Sequence, residues 1–81
     1  KELSTNENIY KDELKNGRPI IVNVGVGDFS SIGHYIVLVG VDNDGNFIIN
    51  DSNSPTNTSE KWSFERLKPQ IKNAWSFVKG E

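Results

Sequence analysis

Apolar residues recur along this chain at two spacings, one helical and one extended. Ile9, Tyr10 and Leu14 fall at helical intervals, Ser4 and Glu7 stand as in a capping box, and Gly17 sits where a helix stops. The pattern predicts a helix over 4–16. Arg18-Pro19 then restarts the chain in extended form, because the residue before proline is pushed out of the α region. Ile20-Ile21-Val22-Asn23-Val24-Gly25-Val26 is β-branched and reads as a buried strand. Two more strands follow over 34–41 and 46–51, joined by Asp42-Asn43-Asp44-Gly45, whose Asp-Gly pair favours a tight hairpin. The stretches 27–33 and 52–61 lack periodicity and read as loops. Ser63 is placed to cap a short helix over 64–72, with Phe64, Leu67 and Ile71 on one face and Pro69 interrupting it. Ala74-Trp75-Ser76-Phe77-Val78 closes the chain as a strand. The order α-β-β-β-α-β is that of an α+β domain: an antiparallel sheet with two flanking helices.

The central hairpin holds the candidate chemistry. His34 is the only histidine and opens one strand; Asp51 ends the next. An imidazole exchanges protons near neutral pH, and a carboxylate beside it fixes its tautomer and holds its charge. If the turn has four residues, Val41 pairs with Asn46 and Ile36 stands opposite Asp51. His34 then becomes the diagonal neighbour of Asp51 on the same face, about 7–8 Å away at the backbone. A two-residue Asp44-Gly45 turn keeps the parity but slides Asp51 opposite Leu38, too far from His34 for contact, and a turn of odd length without a bulge separates the two onto opposite faces. The alternative reading makes His34 a structural strand residue and Asp51 a turn former that caps nearby N–H groups.

Composition narrows the partners. A net charge of −2 and a pI near 5.3 argue against nucleic acid, which requires a basic patch. No apolar run approaches the ~18 residues of a membrane span. Eighty-one residues make one small domain, and a chain opening on Lys1 without methionine reads as an excised or C-terminal part of a longer protein. There is no cysteine, hence no disulfide and no thiolate metal site. Asp42-Asn43-Asp44-Gly45 has the wrong spacing for a calcium loop, and no cofactor or metal is implied. Ser30 and Ser31 lie near His34 without a nucleophile motif. Asn57-Thr58-Ser59 matches a glycosylation sequon, a frequent chance occurrence. Trp62, Trp75, Phe64 and Phe77 read as core rather than as a ligand platform.

Asn16-Gly17-Arg18-Pro19-Ile20-Ile21-Val22, Gly33-His34-Tyr35-Ile36-Val37-Leu38-Val39-Gly40-Val41-Asp42 and Ile48-Ile49-Asn50-Asp51 together resemble the C-terminal half of a C39-like cysteine peptidase. Trp62-Ser63-Phe64-Glu65-Arg66-Leu67 resembles that family's helix after the aspartate, and the likeness covers about residues 10–78. The resemblance implies a partial papain-like domain from a secreted or extracytoplasmic bacterial protein. It makes His34 the general base and Asp51 its orienter for thiol-dependent hydrolysis of a peptide or protein substrate. The family's cysteine would lie on an N-terminal segment, and its usual proline after the aspartate is replaced by Ser52. Without a cysteine the chain is expected to be inactive alone. The competing expectation is a non-catalytic peptide- or protein-binding module. An apolar sheet face and an open edge would there recruit a partner or a second copy of the chain.

Overall fold

The computed structural model describes residues 1–27, 34–51 and 55–77. Expectations placed on 28–33, 52–54 and 78–81, Ser30, Ser31 and Val78 among them, lie outside the described residues. Helix α1 (Glu7–Lys15) precedes strands β1 (Ile20–Val24), β2 (His34–Val41) and β3 (Phe47–Asn50). Short helices α2 (Pro55–Ser59) and α3 (Phe64–Leu67), a 3₁₀ turn (Lys68–Gln70) and strand β4 (Ile71–Ser76) follow. The four strands form one antiparallel sheet in the order β3-β2-β1-β4. The expected class holds: α+β, an antiparallel sheet with flanking helices.

Alternation along the strands sorts the side chains. Ile20, Val22, Val24, Ile36, Leu38, Phe47, Ile49 and Ala74 are buried together with Tyr10 of α1 and with Leu3, Trp62 and Leu67. Tyr10 meets Phe47 and Phe64 edge-on, with ring centroids 6.3 and 6.0 Å apart. The opposite sheet face carries exposed Tyr35, Val39 and Ile48. The sheet's edges are partly occupied: Glu2 bridges to Trp75 beside β4, and Phe47 donates its N–H to the Trp62 carbonyl at 2.7 Å.

Several boundaries differ from the sequence reading. Helix α1 begins at Glu7, capped by the Asn6 carboxamide, which accepts from the N–H groups of Asn8 and Ile9. The Ser4–Glu7 capping box does not form because Leu3 donates its N–H to Ala74, so the chain is leaving the sheet edge at Ser4. Its C-terminus is a Schellman motif: Gly17, at φ 78°, donates to Leu14 and Arg18 donates to Glu13. Strand β1 stops at Val24, leaving Val26 exposed. The expected loop over 52–61 contains α2. The expected helix over 64–72 is capped by Ser63 as read, but gives way at Leu67 to the 3₁₀ turn, where Pro69 lacks an N–H to continue it. Ile71 therefore opens β4 three residues before the expected start of that strand. Of the aromatics read as core, Trp62 is buried, Phe64 packs half-buried against the core and Trp75 is half-buried in β4, but Phe77, beyond the end of β4, is exposed.

The turn between β2 and β3 has five residues, not four. Val41 pairs with Phe47 and Gly40 with Ile48; the pairing then shifts, so that Leu38 meets Ile49 and Val37 meets Asn50. Val39 is the extra residue, a β-bulge on β2. The odd turn and the bulge cancel, and His34, Ile36 and Leu38 keep the face of Ile49 and Asp51. Asp42 organises the turn by accepting the N–H groups of Asp44 and Asn46, both at 2.9 Å, which holds its carboxyl below the usual range.

Glu13, beside Tyr10 and Leu14 on the inward side of α1, is 5% exposed; it pairs with Arg18 and accepts from the Ser76 hydroxyl at 3.2 Å. Arg18 is the main reason its carboxyl sits below its ordinary value of 4.5, against the opposing effect of burial.

A carboxylate held low in the native state stabilises the fold above its ordinary value, and that stability is lost as pH falls through the native value. The urea midpoint should therefore fall as pH drops below about 4.5, and Glu13→Gln should flatten that dependence while lowering stability at pH 7. The bulge gives a second expectation. Deleting Val39 leaves a regular ladder with the same pairs and preserves the His34–Asp51 contact. Inserting one alanine between Ile36 and Val37 turns His34 outward and abolishes it; nuclear Overhauser contacts between the two strands distinguish these outcomes.

Candidate active site

The hairpin delivers two side chains to one end of the sheet. His34 opens β2, paired with Val24 of β1, and its ring is 15% exposed. Asp51 follows the last residue of β3 with its side chain fully buried. The imidazole Nε2 and Asp51 Oδ1 are 2.8 Å apart. Register explains the contact: extending the β2–β3 pairing one step past Val37–Asn50 sets Asp51 across from Ile36, and His34 is its diagonal neighbour.

A buried carboxylate is costly unless its oxygens are bonded. Asp51 meets that requirement with His34 on Oδ1 and with the Asn57 carboxamide, which donates to Oδ2 at 3.3 Å. Its backbone is held as well: the Asp51 N–H donates to the Thr58 hydroxyl at 3.0 Å, and that hydroxyl donates to the Asp51 carbonyl at 3.2 Å. Both residues lie on α2, which the sequence reading treated as loop. The sequence read Asn57-Thr58 only as a chance sequon, and their bonds to Asp51 reach back six and seven residues, farther than a local pattern shows.

The arrangement can hold an imidazole in one orientation. Two surface clefts lie elsewhere: one of about 550 Å³ between residues 1–4 and α1, and one of about 450 Å³ against Lys11, Leu14 and Gly40. Neither includes His34 or Asp51. Asp42 spends its carboxylate on its own turn, and no group of three metal-ligating side chains occurs among the described residues. No helix among them is long and apolar enough to cross a membrane.

No curated protein and no solved structure matches the chain. The model of the Peptidase_C39 like family does, over residues 2–81, a span that takes in the hairpin, both site residues and all four strands. A match of that extent shows that this peptidase-related chain belongs to the Peptidase_C39 like family.

Proposed function

We propose that the chain supplies the base half of a papain-like cysteine peptidase: His34 as general base and Asp51 as the residue that orients it. The observation that carries this reading is the 2.8 Å contact between Nε2 and Oδ1, with the carboxylate removed from solvent. A thiol of ordinary pKa, ~8.5, is a poor nucleophile at neutral pH; beside an imidazole it passes its proton to Nδ1 and becomes a thiolate. The thiolate adds to the peptide carbonyl. The imidazolium then returns the proton to the departing amine, leaving a thioester on the sulfur. Water gives a proton to Nδ1 and its oxygen to the carbonyl carbon, releasing the acid and restoring the thiol. Asp51 keeps Nε2–H as donor throughout and stabilises the positive ring.

The 81 residues contain no cysteine, so the nucleophile must come from outside them. A second reading, a peptide- or protein-binding module without chemistry, is favoured by the exposed Tyr35, Val39 and Ile48 on the far sheet face.

Labelling the full product of the gene with iodoacetamide separates the two. In the peptidase reading one cysteine reacts at a rate that persists down to about pH 5, and in His34→Ala its reactivity collapses onto a thiol titrating near ~8.5. Asp51→Ala should lower peptide hydrolysis by roughly 10²–10⁴-fold. Reactivity indifferent to His34, or the absence of a reactive thiol, favours the binding module.

A further inference from the structure

Strand β3 ends at Asn50, so the ladder does not hold Asp51. Its backbone N–H and C=O both require partners at a buried position, and the Thr58 hydroxyl provides for both. The carboxylate presents a further problem. Its χ2 torsion is broad and roughly two-fold, so nothing intrinsic keeps one oxygen on His34. The Asn57 carboxamide on Oδ2 breaks that symmetry and leaves Oδ1 to the imidazole.

Helix α2 has five residues, too few to be stable alone, so its position comes from its bonds. Beyond Asp51 it is tied to Trp62, whose buried indole N–H donates to the Asn57 carbonyl at 2.8 Å. Trp62 is itself fastened to the sheet by the Phe47 N–H and covered by the Arg66 guanidinium, 3.9 Å from the ring centroid. A connected path therefore runs from the edge of β3 through Trp62 and α2 back to the carboxylate.

We propose that Asn57 and Thr58 are positioning residues for the His34–Asp51 pair: Thr58 fixes the backbone from which the carboxylate projects, and Asn57 fixes its plane. The proposal rests on the base reading of His34 given above.

The test is the His34 Nε2 proton, observed by NMR in the intact chain through its exchange with water. A fixed Nε2–H···Oδ1 bond makes that proton visible and slow to exchange. Asn57→Ala and Thr58→Val should each speed its exchange at least about tenfold or broaden it away, because the bond then opens more often. Thr58→Ser, which keeps the hydroxyl, should restore the wild-type rate. Methyl resonances of Leu38 and Ile49 report whether the sheet is intact; if Thr58→Val does not fold, Asn57→Ala alone decides. An unchanged Nε2 proton in Asn57→Ala or in folded Thr58→Val overturns the positioning role. Asp51→Ala tells which claim failed. If it abolishes the resonance, the pair stands without these positioners; if the resonance survives, the pair itself falls and the base reading with it.

Discussion

Side-chain parity across the β2–β3 hairpin is the constraint on which the rest of this molecule depends. A strand shows alternate residues to opposite faces, so one unit of slip between His34 and Asp51 moves one of them to the other side of the sheet. The five-residue turn introduces such a slip and the Val39 bulge removes it. The same correction keeps Ile36 and Leu38 over the core with Ile49. Core and site are therefore specified together: the burial of a few aliphatic side chains, each worth about 1.5–3 kcal/mol, sets the face on which the imidazole meets its carboxylate.

Much of this was legible in the sequence. The β-branched runs marked three strands because such residues pack well on a pleated surface, and Gly17 marked the helix end because a left-handed residue was needed there. The pairing of His34 with Asp51 followed from alternation once the register was right. The bulge was the hidden element, although a glycine inside a strand, Gly40, is a known sign of one. Turn length and bulge were each unreadable alone, yet their sum preserved the expected neighbour of Asp51.

What the sequence did not disclose lies where tertiary bonds outweigh local preference. Ser4 and Glu7 have the spacing of a cap, but sheet pairing by Leu3 makes Asn6 the residue that faces the free N–H groups. Glu13 shares the inward side of α1 with Tyr10 and is buried with Arg18 and Ser76 against it, a placement that its residue type does not announce. Helix α2 has no apolar rhythm to announce it. Its hydrogen bonds to Asp51 and Trp62 span five to seven residues, beyond the reach of a local pattern. The candidate site was thus half visible: the two reactive groups by residue type and parity, their supports only by structure.

The sheet order also separates the site from the last step of assembly. His34, Asp51, Asn57 and Thr58 lie within one stretch of chain, and the hairpin joining the first two closes through near neighbours in sequence. Strand β4, by contrast, must reach across some fifty residues to lie against β1. Loop closure of that span is the slower event. During synthesis the hairpin can form while β1 still presents an unpaired edge, so the interval before β4 docks is when this chain is most open to pairing with another.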